Sequence, residues 1–166
     1  MTLDAPALEH VCDLQVFVNP PIEAGLVSGL NSRGKRRIIP ITGGSLTGSA
    51  VNHPTLQGRV LSAGADFQIV VSDTCADLDA RYMIALEGAY AGEHIFVHNC
   101  ALRRGSAEDI AKLVRGEAVD PSRIYFRCAP TFEVSTPALN WMTESLFIGS
   151  AARGTDSVHL SFYRLV

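Results

Sequence analysis

From end to end, this chain alternates short β-branched and aromatic runs with turn residues, and that pattern limits it to a strand-built fold. Runs that read as strands are Leu8–Val18, Ile38–Ile41, Leu56–Ser62, Phe67–Ser72, Leu78–Leu86, Glu93–Arg103, Arg123–Cys128, Ser145–Ser150 and Val158–Leu165. Between them stand Asn19-Pro20-Pro21, Gly43-Gly44, Gly64, Gly88, Gly92, Gly105 and Gly154. Short strands at this spacing predict an antiparallel sheet that folds or closes on itself. One segment carries a helical period instead. Ser106 is an N-cap candidate, Asp109 suits the positive helix end, and Ile110, Leu113 and Val114 form one stripe over Ala107–Gly116. A further helical turn is expected near Pro137–Trp141. The fold class expected is mainly β: a closed or nearly closed antiparallel β-barrel with one short helix between strands.

The 166 residues suit one domain, taken as 1–166, and a charged fraction of 19 % against 47 % hydrophobic excludes a disordered chain. A net charge of −3 provides no footprint for nucleic acid, and no apolar run approaches the length of a membrane helix. The start carries Asp4, Glu9 and Asp13 and no basic residue before Arg33, unlike a secretory leader, so a cytoplasmic location is expected. Cys12, Cys75, Cys100 and Cys128 are irregularly spaced and are expected to be buried thiols, Cys100 and Cys128 above all.

Strand parity suggests where a site would lie. One face of the run Glu93–Arg103 carries His94, Phe96, His98, Cys100 and Leu102, and the other carries Ile95, Val97, Asn99, Ala101 and Arg103. In the run after it, Tyr125 and Arg127 oppose Ile124, Phe126 and Cys128. A barrel enclosing a ligand has an amphiphilic lining, so the faces mixing aromatics with polar groups are expected to point into a cavity. The alternative is that they face water.

Four stretches occur in an order that resembles the DUF3237 (UPF0311) family: Gly34-Lys35-Arg36-Arg37-Ile38-Ile39-Pro40-Ile41-Thr42-Gly43-Gly44, Gly64-Ala65-Asp66-Phe67-Gln68, Asp79-Ala80-Arg81-Tyr82, and Tyr125 to Glu133. The ending around Trp141 and Leu146-Phe147-Ile148-Gly149 fits as well. The resemblance covers nearly the whole chain. It implies a compact β-barrel, often oligomeric, which adds a second copy of this chain to the expected partners; it implies no established activity. The chain departs from the family pattern at Asp73-Thr74-Cys75 and around Glu87–Gly92, both in turns.

Asp66 reads equally as a general base with a burial-raised pKa or as an Asx-turn carboxylate. Arg81 shares a face with Asp79, roughly 6.6 Å away along a strand, and is either a surface ion pair or an inward clamp for an enolate or carboxylate. Arg127 poses the same choice, with Tyr125 on its face. Tyr82 and Tyr125 are the candidate proton donors. His94 and His98 would stand roughly 13 Å apart on a strand, too far to chelate one ion alone, so no metal is expected. His98 is either an acid–base group or a hydrogen-bonded core histidine. Thr42–Gly48 lacks a phosphate-loop ending and reads as a flexible loop at a barrel rim, with Arg33, Lys35, Arg36 and Arg37 either solvated or steering an anion toward it. Phe132, Trp141 and Phe147 are core or an apolar pocket wall. The expected function is cofactor-free proton chemistry of the isomerase, cyclase or lyase type on a small, largely apolar organic molecule. Asp66, Tyr82, Tyr125 and Arg127 would be catalytic, and Arg81, His98, Phe132, Trp141 and Phe147 ligand-binding. The alternatives are a non-catalytic binding or carrier barrel and a filled structural scaffold.

Overall fold

A computed structural model describes residues 3–166. Ten strands form one antiparallel sheet: β1 (Leu8–Val18), β2 (Ile22–Leu26), β3 (Lys35–Gly48), β4 (Gln57–Val60), β5 (Gly64–Ser72), β6 (Cys75–Leu86), β7 (His94–Arg104), β8 (Tyr125–Val134), β9 (Phe147–Arg153) and β10 (Ser157–Leu165). The pairings β1–β10–β9–β8–β7–β6–β5–β3–β1 return to their start, so the sheet closes as an eight-strand barrel. β4 and β5 share one position, because each bridges a different half of β3 to β6. Closure leaves the ring without a free edge.

Alternation dictates what fills it. On β6, Ala76, Leu78, Tyr82, Ile84 and Leu86 are buried while Asp77, Asp79 and Arg81 point outward. On β7 the inward set is Ile95, Val97, Asn99, Ala101 and Arg103. On β8 it is Phe126, Cys128 and Pro130. One end is plugged by the 3-10 helix Pro137–Met142, which buries Leu139 and Met142. Here Phe132 packs edge-on against Phe147 (centroids 5.0 Å apart) and Phe162 (5.9 Å). Each such side chain contributes about 1.5–3 kcal/mol by leaving water.

The other end carries α1 (Ala107–Val114). The Ser106 hydroxyl accepts the Asp109 N–H (3.1 Å) and donates to the Asp109 carboxylate (2.8 Å). Arg123 anchors the same carboxylate at 2.9 Å. Ile110 and Leu113 pack on the core, whereas Val114 is exposed.

Two expectations about local structure are corrected. Thr42–Gly48 is part of β3, not a rim loop. Gly43 and Gly44 take φ values of 152° and 144°, and a Cβ on Gly44 would lie 2.0 Å from the Gln15 carbonyl oxygen of β1. Gly44 is there because two backbones meet in the ring, and Gly43 because its backbone takes a φ that other residues avoid, not because the chain is loose. Cys100 is exposed on the outer face and Cys75 half-buried; only Cys12 and Cys128 are buried thiols.

Candidate functional site

Between the aromatic plug and α1 the barrel encloses a cavity of about 40 Å³, room for on the order of three water molecules. Its apolar wall includes Val16, Ile41, Leu78, Phe126 and Leu160, and its polar groups are Asp66, Gln68, Tyr82, Asn99, Arg103 and Arg153. A groove of about 330 Å³ lies beneath α1, between the helix and the barrel end, with Arg37 and Arg103 in its wall. Arg103 lines both spaces.

Strand parity brings the polar set together. Asp66 and Gln68 are two apart on β5, Asn99 and Arg103 lie on the inward face of β7, and Tyr82 is the one aromatic on the inward face of β6. The Asp66 carboxylate accepts from Gln68 Nε2 at 2.6 Å and from the Asp79 backbone N–H at 3.1 Å. Burial pushes its pKa above the ordinary carboxylate value, and those two hydrogen bonds only partly oppose the rise. Tyr82 is 2 % exposed, and burial drives its phenol far above the usual tyrosine range, so it stays protonated. Arg103 is 8 % exposed, and burial brings its pKa down to about 10; attraction to Asp66 opposes the fall, and repulsion from Arg37 and Arg153 adds to it. It remains a cation at neutral pH. Its guanidinium stands 6.0 Å from the Phe126 ring centroid, and no carboxylate of the described residues comes within ion-pair distance of it. Four buried polar atoms of residues lining this cavity have no hydrogen-bond partner among the described residues: Gln68 Oε1, Tyr82 Oη, Asn99 Oδ1 and Arg103 Nε.

Of the residues expected to form a site, Asp66 and Tyr82 meet in the cavity. The expected trio of Asp66, Tyr125 and Arg127 does not converge. Because β8 turns Phe126 and Cys128 inward, Tyr125 (52 % exposed) and Arg127 lie outside, with the guanidinium 5.5 Å over the phenol ring. Arg81 also faces out, gripping both Asp79 oxygens at 3.1 Å. His98 joins them on the outer surface, its Nε2 2.8 Å from Asp79 Oδ1. The mixed faces of β7 and β8 are therefore the water-facing ones. Phe132 and Phe147 belong to the plug at the far end, and Trp141 stacks there on His53 at 4.6 Å; none of the three lines the cavity.

Asp79, His98 and Cys100 bring three donor atoms within 4.8 Å of one another, a set that could hold a metal ion. It lies on the outer face, away from the cavity. There Arg81 already occupies the carboxylate, and both the carboxylate and the thiol approach the same imidazole nitrogen, which rules out a relay through the ring. Of the basic cluster, Arg33 pairs with Asp77 (2.6 Å) and Arg36 donates to the Phe67 carbonyl (2.7 Å); only Arg37 turns toward the groove.

Sequence reasoning missed Gln68, Asn99, Arg103 and Arg153. The available signal was parity: Asn99 and Arg103 interrupt a face otherwise made of Ile95, Val97 and Ala101, and Gln68 falls on the same face as Asp66.

Comparison with known proteins agrees with this architecture. A UPF0311 protein of Rhodopseudomonas palustris is 41 % identical over 133 residues, covering 80 % of this chain and 82 % of that protein. The crystal structure of a conserved protein of unknown function from the same organism superposes with a TM-score of 0.86 at 34 % identity, covering 99 % of this chain and all of the other (100 %). A β-barrel-like protein of Acinetobacter baumannii gives 0.80 at 37 % identity, covering 99 % of each chain. An enzyme from Penicillium herquei shares the fold alone, with a TM-score of 0.65 at 18 % identity over 100 % of this chain and 98 % of that one. The sequence profile of DUF3237, a family described as of unknown function, matches residues 6–165, and this chain belongs to that family.

Proposed function

We propose that the barrel interior binds a small organic molecule and moves a proton on it, as in an isomerase, cyclase or lyase that uses no cofactor. The observation that carries this reading is the convergence of four unpaired buried polar atoms and one carboxylate on a single enclosed space. The protein itself meets none of these atoms, so a ligand's polar groups find partners ready there, each worth about 1–3 kcal/mol against leaving it with no partner at all. Asp66 is the base: a carboxylate whose pKa is raised by burial abstracts a proton better than an exposed one. Tyr82, held protonated by burial, donates to the oxygen on which charge develops. Arg103 takes the anion-stabilising part for which Arg127 and Arg81 stood as candidates. Without a change in shape the cavity admits only a few heavy atoms, so a larger ligand extends past Arg103 into the groove under α1. That a distant protein of the same fold is described as an enzyme is consistent with this reading.

The test works without an identified substrate. The protein is incubated in D2O with a panel of small enolisable carbonyl compounds, and C–H/C–D exchange is followed by proton NMR. Accelerated exchange that drops at least a hundredfold in Asp66→Asn supports the reading. Binding of a panel member without exchange by the wild type would leave a carrier barrel and overturn the catalytic part.

A further inference from the structure

The cavity's charge is unbalanced, and the imbalance selects a ligand. Arg103 and Arg153 line the cavity against the single carboxylate of Asp66, and the adjoining groove adds Arg37 and Arg115 against Asp73, with Arg115 already paired to Glu117. Arg37 makes a long ion pair with the exposed Glu23 at 3.5 Å, and neither Arg103 nor Arg153 has an ion pair among the described residues. A buried guanidinium is ordinarily paired, because removing the charge from water is costly. The chain as a whole is acidic, at −3, so this inner cluster runs against its overall balance.

We propose that the ligand of this barrel is a carboxylate, whose charged end is seated against Arg103 where cavity and groove meet, with Arg153 and Arg37 flanking it. This deepens the reading of the interior as a ligand site and rests on it. The planar guanidinium fork matches a carboxylate in shape as well as charge. Seated there, the anion places the carbon next to its carboxyl group toward Asp66 and Tyr82, which share the cavity with Arg103. A substrate held by a charged end and altered at the neighbouring carbon needs little further recognition, which suits a space walled mainly by Val, Ile, Leu and Phe.

The experiment titrates the full chain in low-salt buffer with two matched pairs, propionate against propionamide and benzoate against benzamide. Each pair has nearly one shape and differs in charge. Amide-shift NMR reads both affinity and location. In wild-type protein each acid binds at least tenfold more tightly than its amide and shifts the signals of residues 66–68 and 99–103. In Arg103→Met the preference falls to about onefold, and Arg103→Lys restores part of it. Arg153→Met weakens it less and serves if Arg103→Met does not fold. Equal binding of acid and amide by the wild type, or an undiminished preference in Arg103→Met, overturns the carboxylate proposal while leaving the ligand site standing. If none of the four probes shifts these signals, the interior is not a ligand site and both readings fall.

Discussion

Replacing Arg103 by methionine should make the unliganded protein more stable. The two side chains fill similar lengths of space, so the substitution removes a charge without opening a large hole. A guanidinium pKa pushed by burial from its ordinary value down to about 10 corresponds to roughly 3 kcal/mol against the buried cation. Against this stands the cation–π contact with Phe126, at 6.0 Å from the ring centroid, worth about 0.5–2 kcal/mol for a pair out of water. The balance favours methionine by about 1–3 kcal/mol, in line with buried charges exchanged for apolar groups elsewhere. For a chain of this length that raises the melting temperature by roughly 2–10 °C. The assay is calorimetry of both proteins in a low-salt, carboxylate-free buffer, repeated with propionate. A carboxylate at about a hundred times its dissociation constant stabilises the wild type by about 2.7 kcal/mol and should close most of the gap, while leaving the variant unmoved. A variant that melts below the wild type without added anion would refute the reasoning, because it would mean the guanidinium holds the barrel together and is not held in reserve for a ligand.

Asp66→Asn should change how stability depends on pH. Burial raises the pKa of Asp66 in the folded protein, so its favourable contribution is full below the unfolded value near 4 and is lost as pH rises through the folded value. The urea midpoint of the wild type should therefore fall relative to Asp66→Asn from about pH 4 upward and then run parallel to it; parallel curves throughout would contradict the assignment. Tyr82→Phe removes a hydroxyl with no partner and should cost nothing or stabilise by up to about 1 kcal/mol in chemical denaturation, and a loss above about 1.5 kcal/mol would reveal a bond to that oxygen. Gly44→Ala places a methyl group 2.0 Å from the Gln15 carbonyl at a φ of 144°, and should cost about 3 kcal/mol or more, or prevent soluble expression. Near-wild-type melting of that variant would mean β1 and β3 can move apart.

The barrel was legible because most of its strands bury one face, and a buried face writes itself into the sequence with period two. β1 follows the bounds read from sequence, and β6 and β7 match theirs to within a few residues. β2 carried no such mark: all five of its residues are exposed, and pairing with β3 alone makes it a strand. The Thr42–Gly48 stretch misled for the opposite reason. Glycine usually signals freedom, but here it answers to the closeness of a neighbouring backbone, which is a long-range fact. Asp66 and Tyr82 could be picked out by residue type and motif. Arg103 could not, since an arginine near the end of an apolar strand reads as the point where the chain returns to water.

The inversion of the expected lining has a physical basis. A face carrying histidine, arginine and tyrosine at every second position holds more polar groups than an interior can satisfy, and here it is the solvent face, where Asp79 serves Arg81 and His98 together. An interior site looks different in sequence: one or two polar residues set among aliphatic ones at the same parity, as Asn99 and Arg103 are among Ile95, Val97 and Ala101. Each is expensive to bury, and four unpaired atoms at about 1–3 kcal/mol apiece would consume much of the roughly 5–15 kcal/mol by which a domain is stable. A sequence keeps such residues inside only where something polar comes to meet them. The same substitutions that relieve the cost should therefore abolish binding, and a barrel variant that gains stability at Arg103 or Tyr82 while keeping its ligand would show that these groups serve another purpose.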